Sequence, residues 1–498
     1  MDERKRTMTG IELTDGHEMM ARPQLKLMSA DQVRQIHEAS LEVLERTGVK
    51  VLLPEALALL EQAGADVRDK NSVKIPSWLV EECLGHAPKR ITVYDRNGEP
   101  AMRMQGNNVH YGLGTDTKCV IDVDSGERRL PKGDDVAKAA RICDYLPNIS
   151  FCASMGGTSP DEVNPSISDR HNFVLQLENT TKPILFTAWS LKGLADIHEM
   201  ASMVTGGPEN FRNRPFMIHY TEPITPLTHP PDSLQKLMFC AEKGIPVVYV
   251  SGPIMGGTAP VTLAGAITLS NAEFLSGLVI TQLKHKGAPI ITGGGSAPLD
   301  MKTSVYLYVG PEAMLCNVAL KELAAYYGLP DFNTGGCSDA KVLDEQAAYE
   351  ACFSILQAGL AGSSMVHDVG YLESGLTACW ELMVLADEMI EANKYFLRGI
   401  EVNRETTAVD LIHKVGTEGN FLGEDHTMQH FKSIWYPNLI NRENYETWKA
   451  GGSKKLGQVL NEKVKWILEN HQPQPLSPDT KKVIQGILDR AAAELKNA

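Results

Sequence analysis

Seven short apolar runs joined by longer stretches of helical periodicity, with an earlier run, Val109 to Leu113, that makes eight if it joins them, constrain this chain more than any other feature. They are Val109 to Leu113, Ile149 to Ser154, Pro183 to Ala188, Phe216 to Tyr220, Pro246 to Val250, Pro289 to Thr292, Asp331 to Thr334 and Ser363 to His367. Nearly continuous apolar runs suit strands buried on both faces, as in a parallel sheet, and the helical stretches between them supply the crossovers that parallel strands need. Eight such units predict an α/β fold, a (β/α)8 TIM-type barrel, whose ligands bind at the C-terminal ends of the strands. An open doubly wound sheet is the alternative, but the first strand is not followed by the GxGxxG turn that would support a nucleotide there.

The rhythm begins near residue 106 and stops near residue 403. Three parts follow: an N-terminal arm and helical segment over 1–105, the barrel over 106–403, and a C-terminal helical extension over 404–498. Hydrophobic residues at 43% and charged residues at 22% describe an ordinary globular chain. A net charge of −14 argues against a nucleic-acid partner, which asks for a basic face. Nine cysteines without a CxxC pair read as reduced, mostly buried thiols of a cytoplasmic protein. The charged start lacks the apolar core of a signal peptide. The apolar stretches are broken before the ~18 residues of a membrane span, so no membrane is expected.

The predicted strand ends are rich in glycine, which lets backbone approach a ligand closely. The stretch Asp331 to Glu345, DFNTGGCSDAKVLDE, is one such end: Gly335-Gly336 form the turn, and Ser338 or Asp339 can cap the helix that follows. No GxSxG elbow, P-loop or HExxH motif is present. His426 and His430 have metal-pair spacing, yet there is no intervening glutamate and no third ligand, so no metal site is expected. What remains is an aromatic and histidine set at the strand ends: His110, Tyr111, Trp189, His219, Tyr220, Tyr249, His367 and Tyr371. Strand residues alternate inward and outward, so part of this set must be core. The rest can form an aromatic box for a quaternary ammonium through cation–π attraction, with Glu222 beside it as a compensating negative charge.

The motifs HYTEPITPLTHPPD (219–232), SGPIMGGTAPVTLAGA (251–266), TGGGSAPLDMKT (292–303), NTGGCSDAKVLDEQAAYE (333–350) and FLGEDHTMQHF (421–431) together resemble the trimethylamine methyltransferase family over nearly the whole chain. That resemblance implies a (β/α)8 barrel that hands a methyl group from an amine to the Co(I) centre of a separate, cognate corrinoid protein. No tightly bound cofactor is expected, because the corrinoid (cobalamin) comes with the partner. In the archaeal trimethylamine enzymes, pyrrolysine occupies a position in or beside the loop that is Gly336 to Ala340 here, where this chain carries the standard residues Cys337, Ser338 and Asp339. The chain is thus similar to the non-pyrrolysine branch, whose substrates are quaternary amines. Glycine betaine, released as dimethylglycine, is the expected one, and proline betaine, carnitine, butyrobetaine and trimethylamine are the other candidates.

On this reading Glu222 and Asp339 are the expected catalytic carboxylates. A betaine carboxylate would be held by Lys341, Arg170, His367 or the amides from Gly336 to Ser338. A quaternary ammonium already carries a neutral leaving group, so its demethylation needs orientation and charge balance more than general acid catalysis. A non-catalytic betaine-binding or corrinoid-assembly component is the alternative. Self-association is common among large barrels, and a homo-oligomer stays open.

Overall fold

The computed structural model describes residues 23–496, so most of the N-terminal arm expected from the sequence lies outside the described residues. Eight parallel strands form one sheet: β1 (His110–Gly112), β2 (Ile149–Phe151), β3 (Ile184–Phe186), β4 (Met217–Thr221), β5 (Val247–Tyr249), β6 (Ile290–Gly293), β7 (Asp331–Thr334) and β8 (Met365–His367). Each strand pairs with the next in sequence, and β8 returns to β1 through Met365 and His110. The seam between β2 and β3 is closed by Cys152, whose amide donates to Pro183 O at 2.8 Å and whose carbonyl accepts from Leu185 N at 2.8 Å. The result is a closed (β/α)8 barrel.

Eight helices form the outer ring: α1 (Gly133–Tyr145), α2 (Ser168–Asn179), α3 (Leu191–Val204), α4 (Pro231–Lys243), α5 (Leu263–Lys284), α6 (Pro311–Tyr327), α7 (Glu345–Ala361) and α8 (Trp380–Leu397). The two-residue period of the strands sorts their side chains into two cores. Leu185, Ile218, Val248, Ile291 and Phe332 fill the barrel interior. Ile184, Phe186, Met217, Val247, Tyr249 and Ile290 pack outward against the helices, among them Leu194, Leu237 and Leu278. Burying both faces is what makes the strand sequences apolar without alternation.

Helix α5 departs from the expected pattern of broken apolar stretches: its 22 residues are long and apolar enough to cross a bilayer. It is instead the most enclosed helix of the ring. The N-terminal helix Ala30–Arg46 lies over it, with Asn271 Nδ2 donating to Ser40 Oγ at 2.9 Å. Ser29 starts that helix with a capping box to Gln32.

The N-terminal segment is mixed rather than helical. Val49–Val51, Asp66–Arg68 and Ser72–Lys74 form a small sheet with Thr228–His229 from the loop after β4, a three-residue scale of pairing that helical periodicity cannot reveal. The hairpin Ile91–Tyr94 with Pro100–Met104 closes the bottom of the barrel, its Ile91, Val93, Met102 and Met104 joining the interior core. At the other end of the chain, Leu456–Asn470 packs on α8 and α1, and Pro478–Lys496 packs on α3.

At the top, loops pair with one another and frame the mouth. Ile254–Met255, after β5, runs parallel to Ala297–Pro298, after β6. Tyr371–Leu372 and Thr377–Ala378, after β8, join Cys119–Ile121 and Arg128–Arg129, after β1.

Candidate active site

The inward residues at the top of β4, β7 and β8 meet in a cage of rings. Tyr220 and Phe332 have centroids 5.7 Å apart, and Phe332 stacks on the His367 imidazole at 3.9 Å. From the loop after β6 come Tyr306 and Tyr308, 5.8 Å apart; from the loop after β8 comes Tyr371. Hydrogen bonds fix these rings. Tyr220 OH donates to Glu222 Oε2 at 2.9 Å, Tyr308 OH donates to Asp368, and Tyr371 OH donates to the carbonyl of Thr115. His367 Nδ1 lies 2.5 Å from Asp368 Oδ1, and its Nε2 lies 3.2 Å from Thr334 Oγ1.

Two backbone features make room for this arrangement. Asp368 has a φ of +74°, a left-handed conformation that aspartate tolerates better than most residues. Gly114, above β1, leaves space that a Cβ would fill: it would sit 2.2 Å from Tyr371 Cζ and 2.4 Å from Asp368 Oδ1. Tyr220, Tyr306, Tyr308 and His367 remain partly exposed although walled in by the barrel, and Glu222 reaches solvent at the mouth while its carboxyl is turned in onto Tyr220 OH. Side chains this deep reach water only through the open mouth.

The charges acting on the cage are negative. Burial, and then the Glu222 charge, push the Tyr220 phenol well above its ordinary range; burial and Asp368 do the same for Tyr308 and Tyr371. These tyrosines therefore stay neutral. Burial raises the Glu222 carboxyl above the usual carboxylate range. It pushes Asp116 up to about 6, against the hydrogen bond from Ser154 Oγ and with help from Asp169. Carboxylates held above their usual range next to neutral ring faces are groups of the kind that attract cations.

Other expected residues lie elsewhere. Tyr111 and Tyr249 face outward: Tyr111 OH donates to Ile355 O at 2.9 Å, and Tyr249 OH pairs with His229 Nδ1 at 2.7 Å. His219 also points outward, its ring 5.1 Å from Phe186, and burial pushes its pKa down to about 3. His110 sits at the opposite end of the barrel, 3.4 Å from Arg103 O of the bottom hairpin. Trp189 stands exposed on the rim, its indole N–H on Ser168 Oγ at 2.9 Å.

The stretch 336–341 forms scaffold behind the cage. The Gly336 amide donates to Ser354 Oγ at 3.0 Å and the Ser338 amide to Tyr371 O at 2.9 Å, so neither is free for a carboxylate. Ser338 Oγ donates to Glu350 Oε2 at 2.6 Å. Asp339 accepts from the amides of Tyr308 at 3.2 Å and Val309 at 3.1 Å and from Ser374 Oγ at 2.7 Å, tying the loops after β6 and β8 together. It positions Tyr308 rather than facing the mouth. Lys341 bonds to Asp339 O at 2.7 Å and lines a separate cleft of about 400 Å³ beside α7. Arg170 is buried between Asp169 and Asp196.

Four cage members escaped the sequence reading: Tyr306, Tyr308, Phe332 and Asp368. The tyrosines belong to no strand or long helix, and their only signal is the alternation Tyr306-Leu307-Tyr308 just before the Gly310-Pro311 helix start.

Fold and cage together define a (β/α)8 barrel protein whose mouth gathers ring faces and carboxylates. Its relatives give that class a family. A family model described as trimethylamine methyltransferase (MTTB) matches residues 2–496. The trimethylamine methyltransferase MttB of Desulfitobacterium hafniense (strain DSM 10664 / DCB-2) is 33% identical over 467 residues, covering 94% of each chain. The MttB of Methanosarcina barkeri is 34% identical over 479 residues, covering 94% of this chain and 95% of that one. A glycine betaine methyltransferase of Desulfitobacterium hafniense (strain Y51) is 29% identical, covering 95% and 98%. The crystal structure of the Methanosarcina barkeri monomethylamine methyltransferase MtmB shares the fold, with a TM-score of 0.50 at 12% identity over 90% of this chain and 88% of that one. The chain belongs to the trimethylamine methyltransferase family and is an enzyme of the methyltransferase class.

Proposed function

We propose that this enzyme takes a methyl group from a quaternary amine and delivers it to the Co(I) centre of a cognate corrinoid protein. The observation that carries the reading is the cage itself: Tyr220, Tyr306, Tyr308, Phe332, His367 and Tyr371 beside Glu222 and Asp368. The C–N bond breaks with its electron pair left on nitrogen, and the two electrons of Co(I) form the new bond to carbon, giving a tertiary amine and a methyl-Co(III) corrinoid. The cation loses its charge in this step, so the carboxylates must hold it without clamping it. The raised pKa values of Glu222 and Asp116, which reflect an environment that tolerates neutrality, suit that demand.

Glycine betaine is the donor the sequence resemblance implied, and its ammonium end fits the cage. Its carboxylate fits less well. The charges acting on the cage tyrosines come from Glu222, Asp368, Asp339 and Asp116, while Lys341 and Arg170 are engaged elsewhere. This favours a donor without a carboxylate next to the ammonium. A cytoplasmic location is part of the same proposal, since eight of the nine unpaired cysteines are buried thiols and a Co(I) acceptor requires a reducing compartment.

Incubating the protein with a Co(I) corrinoid protein and a panel of quaternary amines tests the proposal. The cobalt absorption spectrum should shift with tetramethylammonium or choline more readily than with glycine betaine. If calorimetry shows binding while the cobalt spectrum stays unchanged with every donor, the protein is a binding component rather than the methyltransferase of this reaction.

A further inference from the structure

The segment after α8 carries two histidines that methyl transfer leaves without a role. His426 and His430 sit on the helix Asp425–His430, and their i, i+4 spacing brings the rings to one face, with centroids 4.3 Å apart and planes inclined by 42°, too tilted to stack. Both Nε2 atoms are closed off from solvent, and neither has a hydrogen-bond partner among the described residues. Buried polar atoms are almost always paired, so two unpaired nitrogens side by side ask for a ligand they can share.

The fold brings a third group to them. Glu405 lies on the helix Arg404–Thr407, whose start is fixed by a capping box: Asn403 Oδ1 accepts from the Thr406 amide at 2.8 Å, and Thr406 Oγ1 accepts from the Asn403 amide at 2.9 Å. Glu405 Oε1 stands 3.4 Å from His430 Nε2, yet the two do not form a hydrogen bond. That separation suits a shared ion. Ligands bonded at ~2.0–2.1 Å to one tetrahedral zinc stand about 3.3–3.4 Å from each other. An ion pair between Glu405 and His430 would leave His426 Nε2 unpaired, whereas a metal ion satisfies all three groups.

We propose that His426, His430 and Glu405 form a site for a divalent transition-metal ion, zinc by the chemistry of its ligands, that clips the helix Arg404–Thr407 to the helix Asp425–His430. Two imidazoles and a carboxylate, with water in the fourth position, are an established zinc set. Among the described residues no three His, Cys, Asp or Glu side chains are already closed into a ligand group, and Glu405, 69% exposed, has room to turn toward His426. The clip answers a structural need. The helices Arg404–Thr407, Val409–Val415 and Asp425–His430 contain no buried side chain, so no core holds the first of them to the third. Metal bonds supply folding energy where apolar packing is lacking. The histidine spacing alone did not support a metal site; Glu405, two helices upstream, changes that.

Titrating the metal-free full chain with zinc ion in a calorimeter tests the site. One ion should bind per chain. His426→Ala and His430→Ala should each weaken binding by about tenfold or more, since even groups that only support a metal ligand are worth roughly 10–100-fold. Glu405→Gln, which keeps the size of the side chain, should do the same. Limited proteolysis gives a second readout: zinc should protect the chain between 408 and 424 in the native protein and not in the three variants, whose far-ultraviolet spectra should match the native one. A native chain that binds no zinc, or binding that survives replacement of both histidines, would overturn the proposal. So would binding that Glu405→Gln leaves unchanged, or zinc binding that protects nothing.

Discussion

Two neighbouring strands carry a tyrosine near their C-terminal ends and do opposite things with it. Tyr220 on β4 and Tyr249 on β5 each hydrogen-bond a titratable partner, Glu222 Oε2 at 2.9 Å and His229 Nδ1 at 2.7 Å. Tyr220 faces inward and opens to the mouth. Tyr249 faces outward and is sealed under α5, where a Cβ on Gly277 would lie 2.2 Å from its ring. The same residue at the same end of a strand faces the mouth in one case and is packing in the other, and one step of strand register decides which. Burial also drives the two partners apart: it raises the Glu222 carboxyl, and it pushes the His229 imidazole down to about 4, so His229 stays neutral.

The comparison breaks most visibly if the charges are removed. Glu222→Gln combined with Asp368→Asn should weaken binding of a quaternary amine by about 3 kcal/mol, the scale for deleting enclosed charge partners, with the thermal transition little changed; calorimetry measures the first and scanning calorimetry the second. Tyr220→Ala removes one ring face and should cost about 1–2 kcal/mol of affinity. Tyr249→Phe should reverse the pattern. It leaves His229 Nδ1 unpaired and lowers stability by about 1 kcal/mol in a denaturant titration, while affinity stays where it was.

Acid sharpens the contrast by acting on one side of it. Asp116 has a folded pKa of about 6 against an ordinary 3.8, and Glu222 is raised in the same direction. Their protonation removes the negative charge that receives the cation, so affinity should fall as the pH drops through about 6. Stability moves the other way. A carboxyl whose pKa is raised by folding stabilises the fold at low pH, and that contribution is lost as the pH rises from the unfolded value through about 6. The smallest expected effect is that of Lys341→Ala, which should leave quaternary amine affinity unchanged because Lys341 lines the outer cleft.

Much of the barrel was legible because burial on two faces leaves an unbroken apolar signature. Six of the eight strands fall within the runs named from sequence, β4 and β6 overrun theirs by one residue, and the long helices of the extension begin within two residues of the expected starts. Facing was not legible: an apolar run with no alternation carries no mark of which residues point inward, so Tyr111, His219 and Tyr249 looked equivalent to Tyr220. The loops hid the rest. Tyr306 and Tyr308 are placed by pairing between loops and by Asp339, a contact 31 residues away along the chain, and nothing local encodes it. The stretch around Gly336 drew attention for its glycines, and its role is to hold Tyr308 and Tyr371 through Asp339 and Ser338.

The most direct measurement is a calorimetric titration of three proteins with tetramethylammonium: the native chain, Tyr249→Phe, and Glu222→Gln with Asp368→Asn. Comparable affinity in the first two and a loss of about 3 kcal/mol in the third is the predicted result. Equal affinity in all three would contradict the assignment of the mouth of the barrel as the cation site.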